Sequence, residues 1–361
     1  MSEQDLSSVR DRIDVVDQSI HKLLNERATL AQQVAVIKQK ETTGDVQFYR
    51  PEREADVLRR VQGRNQGPLS DKVVALLFRE IMSACLALEQ PMTVAFLGPE
   101  GTYTQEAATK HFGHAVTLLS LPGIEDIFRE VESSAARYGV VPIENSTEGV
   151  INHTSDKLLT SSLNICGEVE LRIHHHLLSR LTALIDIQVI YSHQQSLAQC
   201  REWLDQNLPG VERVPVRSNG EAARMAEQHE HAAAIASKAA ADIYGLSILA
   251  ENIEDQAENT TRFLVLGQEM VAPSAQDKTS LIVSAHNHPG ALHDILVPFA
   301  KCHVNMTRIE SRPSKKGVWE YVFFIDIEGH QRDASVVSAM AALEGAASMV
   351  KVLGSYPQAV F

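Results

Sequence analysis

Cysteine is scarce in this sequence: four residues in 361, namely Cys85, Cys166, Cys200 and Cys302, with no CxxC among them. That disfavours a disulfide framework or a thiolate metal site as the organising device. No apolar run approaches the roughly 18 residues of a membrane span, and Asp5, Arg10, Asp11 and Arg12 interrupt any signal-peptide core. Positive charge is also short. Lys and Arg number 33 against 46 Asp and Glu, a formal net charge of −13 that argues against general nucleic-acid affinity. What remains, 44% hydrophobic and 22% charged, is ordinary globular composition, and the length allows two or three domains. The expectation is a soluble, reduced, cytoplasmic protein.

The charge is unevenly placed. Residues 1–90 carry 13 positive and 14 negative groups and residues 278–361 carry 8 and 7, whereas 91–277 carry 12 and 25. Three compositions suggest three modules: 1–90, 92–270 and 278–361.

In the first, Leu6, Val9, Ile13, Val16, Ile20, Leu23, Leu30, Val34 and Ile37 recur at steps of three and four, with neither Gly nor Pro until Gly44. This predicts one helix of more than thirty residues. Such a helix cannot fold back on itself, so a dimer is expected. Arg27 takes the seam place between Leu23 and Leu30. Lys38 follows about 20° off that face and roughly 16 Å along the axis, so two cations could meet around one ligand. Arg10, about 100° away around the helix, suits a site on a partner chain. A second helix is predicted from near Pro51, carrying Arg53-Glu54, and a third from about Asp71 to Glu89 with Ser70 as N-cap. A plain coiled-coil dimerisation module would share this pattern.

Arg10, Arg27, Lys38, Arg53-Glu54 and Glu89 together resemble the all-helical chorismate mutases. The resemblance implies an intertwined homodimer in which Arg10 reaches the partner's site while Arg27, Lys38 and Arg53 come from one chain. The chemistry is compatible: chorismate is a dicarboxylate whose pericyclic rearrangement needs only a held conformer and stabilised charge on the breaking ether oxygen. Glu89 stands where some members have glutamine, and Arg50 where an aspartate can occur. A carboxyl can donate to the ether oxygen only when protonated, so mutase turnover is expected to fall as pH rises.

The middle module alternates strands with turns and helices. Thr93–Leu97 leads into Gly98-Pro99-Glu100-Gly101-Thr102-Tyr103-Thr104; Tyr138–Ile143 leads into Glu144-Asn145-Ser146-Thr147-Glu148-Gly149; Val189–Tyr191 leads into Ser192-His193-Gln194-Gln195-Ser196. Mostly parallel α/β sheets are expected, with an anionic ligand at helix N-termini. No Walker motif or GxGxxG is present. His174-His175-His176 sits in an alternating run, Val169 to Leu177, that reads as a strand, and no metal is expected.

Taken in order, these segments and Thr260-Thr261-Arg262-Phe263 resemble prephenate dehydratase. The resemblance implies two α/β lobes around a cleft, as in periplasmic-binding-protein-like folds. The second lobe would span roughly 175–250, and the chain would return to the first lobe near Thr-Arg-Phe. It carries over Asn145, Ser192, Gln199 and Thr261 as polar groups lining the site, Thr261 as the favoured catalytic hydroxyl, and Arg262 and Glu144 nearby. Many members read Ser-His-Pro-Gln where this chain has Ser192-His193-Gln194-Gln195.

The last module reads as βαββαβ, a ferredoxin-like order: strands at 281–283, 304–309, 318–327 and 350–353, helices after Gly290 and at about 333–343. Asn287, Pro289, Gly290, Ala291 and Leu292, with Glu310, Ser311 and Arg312 read as a turn, resemble ACT regulatory domains, which implies a phenylalanine site. The module order is similar to the bifunctional enzymes that take chorismate through prephenate to phenylpyruvate under phenylalanine feedback, with no cofactor. An arogenate-preferring dehydratase and a non-catalytic amino-acid sensor are the alternatives.

Overall fold

The structure is a computed structural model and describes residues 3–41, 47–147, 149–285, 288–313 and 321–360. It divides into two compact units, one of Met1–Arg50, Val57–Met92 and Phe112–Thr117, the other of Pro51–Asp56, Thr93–His111 and Leu118–Phe361.

The first unit is built on helices α1 (Glu3–Glu41), most of α2 (Pro51–Arg64) and α3 (Asp71–Glu89). Pro51 opens α2 where a missing N–H costs nothing, and the Ser70 hydroxyl caps α3 by accepting from the Val73 N–H. The expected helices are all present. Along α1 every apolar seam residue is exposed, from Leu6 at 42% to Leu23 at 62%. A stripe of that length turned to solvent is an unsatisfied hydrophobic face.

The second unit begins with β1 (Thr93–Leu97), α4 (Tyr103–Phe112), β2 (Thr117–Leu121), α5 (Ile124–Glu132), β3 (Tyr138–Asn145), β4 (Gly149–Val150), α6 (Asn152–Thr160) and β5 (Asn164–Arg172). The chain then crosses to a second lobe. This comprises β6 (His176–Ser179), β7 (Val189–His193), α7 (Gln194–Gln199), α8 (Arg201–Asn207), β8 (Glu212–Val216), α9 (Asn219–Gln228), β9 (Ala232–Ala236), α10 (Lys238–Tyr244) and β10 (Ser247–Ala250). It returns as β11 (Thr260–Gly267). The first sheet has the order β2-β1-β3-β11-β5 and the second β10-β6-β9-β7-β8.

These sheets are mixed, not mostly parallel. β1 runs parallel to β3, and β7 to β8 and β9; β11 is antiparallel to both β3 and β5, and β6 to both β9 and β10. The physical reason is the double crossing: a strand returning from the far lobe enters the sheet in the opposite sense. The same crossing breaks the strand expected over 169–177, since β5 ends at Arg172 and β6 starts at His176. The two crossing segments bond to each other there, Ile173 N–H to the Asn259 carbonyl and Ile253 N–H to that of His175, both at 2.8 Å.

Small residues bring the lobes together. Gly101, at φ +80, lies so close to α10 that a Cβ would stand 3.0 Å from Ala240, and one on Gly220 would stand 2.3 Å from the Glu100 carbonyl. Either glycine is therefore required by approach distance, and Gly101 by conformation as well.

The chain ends in β12 (Asp277–Ala285), α11 (Ala291–Lys301), β13 (Met306–Pro313), β14 (Tyr321–Glu328), α12 (Ala334–Ala346) and β15 (Ala347–Pro357), giving an antiparallel sheet β13-β14-β12-β15. This is the expected βαββαβ. Glu310, Ser311 and Arg312 differ from their reading as a turn: they lie within β13, paired with Phe324, Phe323 and Val322. Pro313 had suggested a turn, but an edge strand tolerates proline. This sheet shares a core with the first lobe, where Ile282, Phe324, Leu353 and Tyr356 pack with Ile143, Leu158, Ile165 and Leu264.

Candidate active site

A cleft of about 510 Å³ lies between the two lobes. Its walls include Thr102, Tyr103 and Thr104 at the start of α4, Ile151 and His153 at the start of α6, and Ser218 and Asn219 at the start of α9. Three helices of nine or ten residues thus turn their positive ends toward one space, with Arg217 on its rim. An anion is the complementary occupant.

At the cleft floor a polar network has its direction imposed by one backbone group. The Thr147 N–H donates to Asn145 Oδ1 at 3.0 Å, and a main-chain donor cannot be reversed. Asn145 Nδ2 therefore faces outward and donates to Thr261 Oγ1 and Asn259 Oδ1, each at 2.8 Å. Asn259 then presents Nδ2 to Gln199 Oε1 at 3.1 Å, and Gln199 Nε2 donates to Thr147 Oγ1 at 3.0 Å. Among the described residues Thr261 receives this hydrogen bond and donates to none. Its own O–H is left to face the cleft.

The direction continues into the crossing segment. Because Gln199 Oε1 is an acceptor, His175 Nε2, 2.9 Å away, carries the proton. Burial lowers the His175 pKa, against the hydrogen bond to Gln199, so the ring is neutral and Nδ1 is left an acceptor. The Tyr103 hydroxyl lies 2.8 Å from it and 2.7 Å from the His174 carbonyl, and shares its one proton between these two acceptors. Burial, with Glu106 nearby, holds the Tyr103 pKa well above its ordinary value and keeps it a donor. The neighbouring histidines are engaged elsewhere: His174 pairs with Glu254, and His176 Nδ1 accepts from the Asn252 N–H. Among the described residues no cluster suited to a metal ion occurs.

Asn145, Gln199 and Thr261 thus come together, as expected, and three other expectations are corrected. Ser192 does not line the cleft. Alternation along β7 gives it the interior side with Ile190, where its hydroxyl donates to the Ile235 carbonyl at 3.0 Å, while His193 lines the cleft. Arg262 also points away, because Thr261 and Phe263 take the cleft side of β11. Its guanidinium binds Glu168 at 2.9 Å, Asp326 at 2.5 Å and the Tyr356 hydroxyl at 2.9 Å. Glu144 shares that far side and pairs with Arg308 at 2.7 Å. Burial pushes Asp326 upward, but Arg262 outweighs it and holds the carboxyl below the usual range.

Sequence reading missed Tyr103, Thr147, His175, Asn219 and Asn259. Asn259 directly precedes the Thr-Thr-Arg-Phe run and offered a signal by adjacency. Thr147 lies two residues after Asn145 and Tyr103 within the Gly98–Thr104 run, so the motifs held both without marking them, whereas His175 and Asn219 are joined to the site only by folding.

In the helical unit, Arg27 Nη1 donates to the Ile81 carbonyl on α3 at 3.4 Å, and Lys38 Nζ to the Gln47 and Phe48 carbonyls at 3.1 and 3.3 Å. Arg10 is exposed on α1 and Glu89 is the last, half-buried residue of α3. Arg53 and Glu54 lie in the first turn of α2, which belongs to the other unit.

In the terminal sheet domain, Gly290 adopts φ +90 and caps α11, so Pro289 and Gly290 form the turn and Ala291 and Leu292 begin the helix. Asn287 lies outside the described residues. Along β13, Ser311 faces outward, while Arg312 turns inward to Asp156 at 3.2 Å and the Asn152 carbonyl at 3.1 Å, both on α6. Arg312 is thus already engaged by the first lobe.

Family models match in order: chorismate mutase type II over 9–90, prephenate dehydratase over 94–271 and the ACT domain over 279–345. A bifunctional chorismate mutase/prephenate dehydratase of Stutzerimonas stutzeri is 54% identical across all of both chains. A prephenate dehydratase of Arthrobacter aurescens, solved with L-Phe, is 36% identical with a TM-score of 0.68, over 74% of this chain and 90% of its own. GqqA, described as a quorum-quenching acylase, is 29% identical with a TM-score of 0.69, over 74% and 99%.

Proposed function

This chain belongs to the bifunctional chorismate mutase/prephenate dehydratase family, and from that premise we propose how its residues divide the work. Residues 1–90 carry the mutase, 92–270 the dehydratase and 278–361 phenylalanine feedback. The observation carrying the dehydratase assignment is the Thr261 hydroxyl, which lines a cleft ringed by helix N-termini and accepts from Asn145 at 2.8 Å, leaving its own proton for a bound group.

Prephenate enters as a dianion, and its carboxylates are held by the N–H groups opening α4, α6 and α9. The bond from the ring's quaternary carbon to its carboxylate breaks, releasing CO₂. That electron pair aromatises the ring and expels the hydroxyl across it, which Thr261 O–H assists by hydrogen bonding as it leaves toward water. Phenylpyruvate remains. Acyl transfer, the chemistry described for GqqA, would call for a base accepting from the nucleophile. Here the Thr261 oxygen accepts from an amide instead.

In the mutase, Arg27 and Lys38 hold chorismate's carboxylates, Arg10 serves the partner's site, and Glu89, protonated, donates to the ether oxygen; Arg53 and Glu54 are assigned to the same reaction by the family motif alone. The exposed α1 stripe supports a homodimer joined along it. Phenylalanine binds at 287–292 and 310–312, where Arg312 contributes by its bond to α6. A cytoplasmic location accords with four free cysteines and with no described helix long and apolar enough to cross a membrane.

The deciding experiment measures chorismate loss and phenylpyruvate formation on purified protein, with prephenate and arogenate offered separately. Turnover of chorismate and of prephenate is expected. A protein that binds these compounds and converts neither would be a sensor.

A further inference from the structure

Asn259 is 2% exposed and sits on the return crossing between the lobes, its carbonyl receiving the Ile173 N–H at 2.8 Å. Its side chain is divided between the lobes. Oδ1 accepts from Asn145 of the first lobe at 2.8 Å, and Nδ2 donates to Gln199 of the second at 3.1 Å. An amide can do both because its two ends differ: one only accepts, the other only donates.

The direction matters more than the bonds. With Asn145 Oδ1 fixed by the Thr147 N–H, the Asn259 oxygen must face Asn145 and its NH₂ must face Gln199. That choice sets Gln199 Oε1 as the shared acceptor of Asn259 Nδ2 and His175 Nε2, and turns Gln199 Nε2 toward Thr147. It also supplies the second acceptor that holds Asn145 Nδ2 against Thr261. Reversal of this one amide would set two NH₂ groups against each other on one side and two oxygens on the other.

We propose that Asn259 is a positioning residue for the dehydratase reaction. Spanning both lobes, it sets the donor–acceptor direction of Gln199 and Asn145, so that the Thr261 proton faces substrate only when the lobes are in register. The inference rests on the dehydratase reading above and extends it to a residue that touches no substrate.

Asn259→Asp separates direction from bulk. The ionised carboxylate still accepts from Asn145 but sets an oxygen against Gln199 Oε1, so the Gln199 amide turns and His175 loses its acceptor. Protonated, the same side chain donates to Gln199 and restores the pattern. The expected kcat on prephenate is about 100-fold below the parent near neutral pH, as for loss of one oriented donor. The variant-to-parent ratio then climbs toward acid pH, at a limiting slope of about tenfold per pH unit for one proton. His175 and Tyr103 are bonded into the network and Glu254 to the His175 N–H, so the ratio is also measured in a His175→Gln background, which removes the histidine's own titration from it.

Asn259→Ala provides the second arm: kcat falls while KM stays within about threefold, because the carboxylate-binding helix ends are untouched. A pH-independent ratio, or a loss confined to KM, would overturn the proposal. A parent inactive on prephenate would instead overturn the dehydratase reading, and this inference with it.

Discussion

Thr261 and Arg262 are consecutive in β11 and serve opposite sides of the sheet. The Thr261 hydroxyl takes a hydrogen bond from Asn145 at the cleft, while the Arg262 guanidinium lies 2.5 Å from Asp326 on β14 of the terminal domain. One strand therefore carries the candidate proton donor on one face and a buried ionic link to the regulatory sheet on the other. Strand alternation makes this unavoidable for adjacent residues.

The two activities are expected to separate. Thr261→Ala should lower dehydratase kcat by about 100-fold, Thr261→Ser should keep most of it, and both should leave chorismate turnover intact. Arg27→Ala should abolish the mutase and spare phenylpyruvate formation from prephenate. Steady-state assays on the two substrates check this, and a loss of both activities in either variant would refute the division.

For Glu89, the prediction concerns the shape of a pH–rate curve. If the carboxyl works as a neutral donor, parent mutase kcat declines toward alkaline pH while Glu89→Gln, which donates at every pH, stays level. Identical alkaline limbs for the two proteins would exclude the role.

Arg262→Met tests the ionic link. Glu168 retains Lys278 at 2.7 Å, but Asp326 loses its guanidinium, and breaking a buried pair of this kind costs about 3 kcal/mol. A lowered thermal midpoint is expected, with weakened phenylalanine inhibition and a dehydratase kcat reduced less than tenfold. Full inhibition retained at wild-type phenylalanine concentrations would show that β11 does not carry the coupling.

Asp326 and His175 both contribute to the acid side of the stability curve, alongside His176 and Glu254, whose pKa values are also lowered. Asp326 has a folded pKa below its unfolded value of about 3.9, so its contribution is present above that pH and fades as pH falls through the folded pKa. His175 is lowered by burial, so below about pH 6.5 the unfolded state takes up the proton more readily and stability drops. Melting curves between pH 7.5 and 5.5 should fall more steeply for the parent than for His175→Gln; parallel curves would remove His175 as the cause.

Much of the architecture was legible in the sequence because it is written in local periodicity. The α1 stripe, Ser70 as a cap, Pro51 at a helix start and the βαββαβ order all depend on residues within a turn or strand of one another. Strand direction was not legible. β11 enters antiparallel because it returns from a distant lobe, and no residue within it records that journey. Ser192 and Arg262 were misplaced for a related reason: a motif names which residues recur together, while strand parity decides which of them face the cleft.

The sequence by itself determined the three modules, the helical seam with its cations, and Asn145, Gln199 and Thr261 as one constellation, since local spacing and family motifs carry those features. Only the tertiary structure decided that Asn259, His175 and Tyr103 complete the network and that Arg262 and Glu144 turn to the regulatory sheet. Hydrogen-bond direction is a property of groups brought together across 24 to 116 positions of chain, and it is set at the site by one irreversible backbone donor, the Thr147 N–H.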